Sequence, residues 1–176
     1  MGGMVGDFVK GRLNDQLPAG IITGVKLHRK IDSFTDSHPF ANDFRQRLPN
    51  GQRRFGGIVF DIICDHILAQ NWPAYSDEPL EQFATKVYEL LQGRLKELPP
   101  EFEDIFHRMA ENNWLVSYQD LNTIKRAIIF TGKRFSRKNC LAGMADNLES
   151  HIESLNLGFE SFINDIETMV SQTALQ

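Results

Sequence analysis

The chain is short of cysteine. Its 176 residues include two, Cys64 and Cys140, each beside apolar neighbours and neither part of a CxxC pair. That spacing excludes a sulfur-bound zinc motif and predicts two small buried thiols in a reducing compartment. A basic excess is missing as well. Nineteen Lys and Arg against 23 Asp and Glu give a formal charge of −4, which speaks against nucleic acid as a bulk-charge partner and leaves room only for a local basic patch. No stretch has the apolar length of a membrane span, and the start MGGMVGDFVKGR lacks a basic region followed by a hydrophobic one. The expectation is a cytoplasmic protein with no membrane partner. Alternating strands of convincing length, internal repeats and low-complexity segments are absent too. What is present is apolar content, 41% of the chain, and a length that suffices for one domain with a core and is short for two domains, so residues 1–176 are read as a single domain.

Helical periodicity runs through nearly all of it. From Pro18 to about Asp36, Ile21, Ile22, Val25, Leu27 and Ile31 recur at mostly three-to-four spacing. Pro39 permits a new start, and PFANDFRQRL reads as a short helix ended by PNG. Residues 55–71 form the next. A longer helix with Phe83, Val87, Leu90, Leu91, Leu95 and Leu98 on one side is expected to stop at Pro99 and Pro100, and 101–113 form another. QDLNTIKRAIIFTG is helical, and so is Cys140 to about Val170, with a break expected at Gly158. The fold class is all-α, an irregular helical bundle.

Within this frame FDIICDHILA, residues 60–69, is anomalous: Asp61, Asp65 and His66 sit among side chains that belong in a core. On a helix Asp61 and Asp65, four apart, stack on one face, with His66 one step round. Two carboxylates side by side repel and lose hydration unless a cation or matched donors offset the loss. A divalent metal does so. LHRKIDSFTDSH repeats the device, with His28, Asp32 and Asp36 at spacings of four and His38 following. Facing rows of such donors are how helical bundles build metal sites, and oxygen-rich ligation without sulfur favours Mn²⁺, Mg²⁺ or Fe²⁺ over structural zinc. A plainer reading stands beside this one. His28 and Asp32 also fit an exposed helix pair, and Asp36 fits a cap for the following helix. Asp7, between Val5 and Phe8 in VGDFVKG, fits either a turn cap or a further carboxylate of the site.

Taken in order, GDFVKG, LHRKIDSFTDSHP, DIICDHILAQNW and WLVSYQDLNTI resemble the acyl carrier protein phosphodiesterases, distant relatives of the HD-domain metal-dependent phosphohydrolases. The resemblance spans recognisable blocks from Met4 to about Phe130. It implies an HD-domain-like helical hydrolase that uses a divalent cation, Mn²⁺ foremost, to cleave 4′-phosphopantetheine from a serine of the carrier protein. By analogy Asp7, His28, Asp32, Asp61, Asp65 and His66 fall on the ligand positions. Asp36 falls on the family's TD aspartate and is a candidate general base, while Arg29 is a candidate phosphate clamp or a solvated helix residue. Trp72 and Trp114 match as packing aromatics. Members of this family usually begin with a segment of the type NFLAHL, whose histidine looks like a ligand; here GGMVGDF follows Met1 directly, and that histidine has no counterpart.

The implied partner, an acyl carrier protein, is acidic. Two stretches free of acidic residues suit it: FRQRLPNGQRRF, with Arg45, Arg47, Arg53 and Arg54, and IKRAIIFTGKRFSRK, with Lys125, Arg126, Lys133, Arg134, Arg137 and Lys138. Solvated helix ends are the alternative. Two rival functions are a phosphohydrolase of nucleotides or other small phosphoesters on the same fold, and an inactive helical module that docks on the carrier protein.

Overall fold

The computed structural model describes residues 2–9, 11 and 17–174, apart from the side chains of Asp7 and Ala174. Among the described residues there are helices and turns and no strand. A short α1 (Gly2–Val5) leads into a 3-10 turn at Gly6–Phe8, then α2 (Ala19–Ser37) and α3 (Pro39–Arg47). A 3-10 turn at Arg53–Phe55 opens α4 (Gly56–Gln70), which is followed by α5 (Leu80–Gln92) and α6 (Pro100–Glu111). The chain closes with α7 (Trp114–Ser117), α8 (Leu121–Lys133), α9 (Leu141–Asp146) and α10 (Leu148–Ala174). No helix is long and apolar enough to cross a membrane among the described residues.

Proline sets many of the boundaries. His38 and Leu48, each just before a proline, are extended and end α2 and α3, as the ring of the following residue requires. Pro18, Pro79 and Pro99 stand at the entrances of α2, α5 and α6. The cap of α3 is His38, whose Nδ1 accepts from the Phe40 amide at 3.2 Å, so Asp36 is not the cap. Asp120 caps α8 by accepting from the amides of Asn122 and Thr123.

Two expected helix limits are corrected. The helix meant to reach Pro99 ends at Gln92, where Gly93 follows, and Leu95–Glu97 is a separate 3-10 turn. The last long helix breaks at Asn147 and passes through Gly158 without interruption. Gly158 serves packing instead: a Cβ there would fall 2.6 Å from the Phe40 ring, so the missing side chain lets α10 close on α3.

Two cores result. The larger surrounds α4 and joins it to α3, α8, α9 and α10 through Val59, Phe60, Ile63, Ile67, Ile124, Ile128, Leu141 and Leu148. At its centre Phe60 meets Phe40 at 5.7 Å and Phe162 at 5.5 Å between ring centroids, both edge-to-face. The smaller core gathers Val5, Ile21, Val25, Leu91, Phe102 and Phe106, fixing the amino-terminal turn on α2 beside α5 and α6. Both cysteines are free and partly buried.

Candidate functional site

The apolar side of α4, through Val59, Phe60, Ile63 and Ile67, is buried, and Asp61 and Asp65 project from the accessible side. Asp65 reaches solvent but is hemmed in by protein. That surrounding protein, and then the charge of Asp61, push its carboxyl up to about 7. Burial followed by the field of Asp65 pushes Tyr118 up to about 12, and Cys64 is raised by burial and then by Asp65 and Asp61. Burial is the leading cause at all three groups, and the pair of carboxylates adds to it in the same direction.

His66 turns inward. It is 1% exposed, and its Nδ1 lies 2.6 Å from the carbonyl oxygen of Tyr118. A carbonyl only accepts, so Nδ1 carries the hydrogen and Nε2 of the neutral ring keeps its lone pair. This is the tautomer of a metal-binding histidine oriented by its backbone. Sequence reasoning missed Tyr118, because a single tyrosine in a short helical turn has no periodicity to mark it; its signal is the carbonyl it offers to His66.

On α2, His28 and Asp32 meet at 3.1 Å between Nε2 and Oδ2. Gly6 explains the placement of the ring: a Cβ at that position would overlap the imidazole, so glycine is what lets the GDF turn lie against His28. The side chain of Asp7, next in that turn, lies outside the described residues. Arg29 binds the same segment, donating from Nη2 to the Val9 carbonyl at 2.6 Å, and so acts here as a tether for the turn. Asp36, 74% exposed, is bridged by Arg45 at 3.3 Å, and the Arg45 guanidinium also donates to the Asp36 carbonyl and to Asn42 Oδ1. A groove of about 440 Å³ lined by Gly20, Gly24, Leu27, Ile31 and Leu90 opens beside His28.

The donors therefore stand as two pairs, one on each helix, with His66 behind the second. Among the described residues no three His, Cys, Asp or Glu side chains close into a group able to hold an ion, and none of His28, Asp32 and Asp61 is without a partner. The donor chemistry nonetheless fits a divalent cation. Burial and then the charge of Asp61 raise the cost of ionising Asp65, the bond from His66 Nδ1 to the Tyr118 carbonyl leaves Nε2 as the ring nitrogen open to a ligand, and the set is oxygen and nitrogen without thiolate.

The basic side chains separate into two groups. Arg47 donates to Ser154 Oγ at 3.3 Å, and Arg53 donates to the Leu48 and Gln46 carbonyls at 3.0 Å, closing the end of α3. With Arg45 held by Asp36, these three serve the fold. Arg54, Lys133 and Arg134 are exposed, as Arg47 and Arg53 are, but have no hydrogen-bond or ion-pair partner among the described residues.

The sequence matches the family model described as acyl carrier protein phosphodiesterase over residues 1–166. Two relatives bearing that name, from Escherichia coli strain SMS-3-5 and Escherichia coli strain K12 / DH10B, are each 29% identical over 175 residues, covering 99% of this chain and 91% of the relative. No solved structure matches the chain. The chain belongs to the acyl carrier protein phosphodiesterase family, hydrolases that act on a phosphodiester bond.

Proposed function

We propose that this chain hydrolyses the phosphodiester joining 4′-phosphopantetheine to a serine of holo-acyl carrier protein. Water adds to phosphorus, the bond from phosphorus to the serine oxygen breaks, that oxygen takes a proton, and apo-carrier protein and 4′-phosphopantetheine leave. The observation that carries the reading is the Asp61 and Asp65 pair on α4, with Asp65 raised to about 7, in a chain of this family. Such a pair is costly in a purely structural role and suited to a cation.

A divalent cation, Mn²⁺ foremost, would supply neutralisation of the phosphate charge and activation of water when bound. Asp61, Asp65 and His66 would hold it from α4, with His28 and Asp32 from α2 and Asp7 from the turn beside them. The backbone of Tyr118 orients His66, and Asp32 orients His28. Arg29 keeps the GDF turn on α2 through the Val9 carbonyl. The groove beside His28 offers an apolar wall to the uncharged part of the departing group.

The deciding measurement is the intact mass of holo-carrier protein after incubation with this chain and Mn²⁺. Loss of the phosphopantetheine mass is expected, together with its suppression by chelator. An unaltered holo mass at enzyme concentrations near that of substrate would overturn the proposal.

A further inference from the structure

Two basic stretches far apart in sequence meet in the fold. The turn before α4 and the segment after α8 are joined by Phe55 and Phe135, whose rings meet edge-to-face at 5.5 Å, and by the Cys140 thiol donating to the Gly51 carbonyl at 3.6 Å. Residues 44–60 contain no Asp or Glu, and neither do residues 121–145. Neither stretch therefore brings an acidic side chain of its own to their junction. Arg54, lying 4.4 Å over the Phe55 ring, shares it with Lys133, Arg134, Arg137 and Lys138, all five exposed. None of these five side chains has an ion-pair or hydrogen-bonding partner among the described residues. That contrasts with Lys125, held by Glu149 at 2.8 Å, and with Arg45, held by Asp36.

Exposed aromatics complete the patch. Phe130 is 60% exposed and Phe135 44% exposed, and on α8 Phe130 lies three residues from Lys133, hence beside it. Unpaired cations around apolar anchors, on a chain of net charge −4, form a surface that selects a negatively charged protein and fixes it by a small apolar contact. Its position is informative. The patch sits at the start of α4, and Asp61 lies five residues in, about 8 Å along the helix at 1.5 Å per residue.

We propose that this convergent face, Arg54 with Lys133, Arg134, Arg137 and Lys138 around Phe130 and Phe135, is the docking surface for an acidic protein, the acyl carrier protein, and that it delivers the bound phosphodiester to the carboxylate pair further along α4. The proposal rests on the reading of the substrate as an acyl carrier protein. It also narrows the basic contact set, since Arg45, Arg47 and Arg53 are engaged within the fold and stand outside the surface.

The test uses the full chain and purified apo-acyl carrier protein, which has no phosphodiester and so reports docking alone. Arg134→Glu with Arg137→Glu should weaken Kd by about tenfold or more and flatten its salt dependence, while Lys96→Glu, which reverses one exposed charge in the 3-10 turn before α6 and so matches Lys133→Glu, leaves Kd within about twofold. With holo-carrier protein the double variant should raise KM by a similar factor. If the double variant fails to fold, judged by its thermal midpoint, Lys133→Glu alone should still weaken Kd about threefold. An unchanged Kd and salt slope in a folded variant would overturn the surface, as would a parent chain that binds phosphatidylglycerol vesicles through these residues and ignores the carrier protein. Docking that follows the patch without any release of phosphopantetheine would leave the surface standing and overturn the reaction.

Discussion

Helices α2 and α4 carry the same device in opposite surroundings. Each places a pair of potential donors four residues apart on one face, but on α2 the pair is an imidazole and a carboxylate in mutual contact at 3.1 Å, with the Asp32 side chain 54% exposed. On α4 it is two carboxylates, and the protein around Asp65 together with Asp61 raises its carboxyl to about 7. Equal spacing therefore yields unequal chemistry. The α2 pair is already satisfied, whereas the α4 pair carries a penalty that a cation would remove. The difference teaches that four-residue spacing chooses the face, and the identity of the two groups and their surroundings choose whether that face stores a cost. A hydrolytic site that recruits a cation should thus be most sensitive on α4 and more forgiving on α2.

The largest expected effect follows at Asp65. Asp65→Asn keeps the size and removes the charge, so turnover should fall by roughly a hundredfold or more, and stabilisation by Mn²⁺ should disappear with it. The metal-free protein should move the other way. A carboxyl raised from 3.8 to about 7 holds its proton more tightly in the folded state than in the unfolded state. Its contribution to stability is complete below pH 4 and is lost as pH rises through 7. Above pH 7 the Asn variant should therefore equal or exceed the parent, by about 1 kcal/mol once solvent access to the side chain is allowed for. Melting curves across this pH window, with chelator and with Mn²⁺, measure both signs. A variant destabilised at every pH would make Asp65 the partner of a cationic side chain and break the contrast between the helices.

Glycine tests the two helices by different means. Gly158→Ala drives a methyl into the Phe40 ring on the α10 side of the large core and should lower stability by roughly 1–3 kcal/mol, with KM unchanged. Gly6→Ala meets the His28 ring instead. The ring must leave its place between the GDF turn and Asp32. Stability should fall by about 1 kcal/mol and turnover by about tenfold, while the pH dependence of stability that belongs to α4 persists. Loss of that pH dependence in Gly6→Ala would join the two pairs into one coupled unit and sharpen the comparison into a shared site.

Much of this architecture is legible in the sequence, and the physical reasons are specific. Prolines at 18, 39, 79, 99 and 100 mark boundaries because the ring restricts its neighbour locally, without reference to the fold. The anomaly of Asp61, Asp65 and His66 is visible because their helix is otherwise apolar. Sequence periodicity failed where tertiary contacts decide: Leu95 and Leu98 continue the spacing of α5 although the chain has already left it at Gly93, and Gly158 looks like a break until Phe40 is found beside it. Spacing groups His66 with the two aspartates, and its inward turn toward the Tyr118 carbonyl depends on a segment fifty-two residues away. Likewise the engagement of Arg45, Arg47 and Arg53 depends on carbonyls, a carboxylate and a hydroxyl that no local pattern records. Composition reports that a residue is cationic. It cannot report that the side chain is already engaged by the fold.

The smallest expected effect concerns Asp36, which continues the α2 stripe by spacing yet ends in an exposed pair with Arg45. An exposed carboxylate bridged to arginine contributes a few tenths of a kcal/mol, because water screens the pair and both side chains lose freedom in making it. Asp36→Asn should therefore change stability by no more than about 0.5 kcal/mol, with the difference shrinking as salt is added. Turnover should stay within about threefold of the parent, since general-base catalysis is worth roughly a hundredfold or more and Asp36 faces an arginine that holds its carboxylate. Steady-state rates with Mn²⁺, measured beside a salt series of thermal midpoints, decide between the two roles. A hundredfold loss of turnover at unchanged stability would make Asp36 a proton acceptor that leaves Arg45 on substrate binding, and would place the active end of α2 a full turn beyond Asp32.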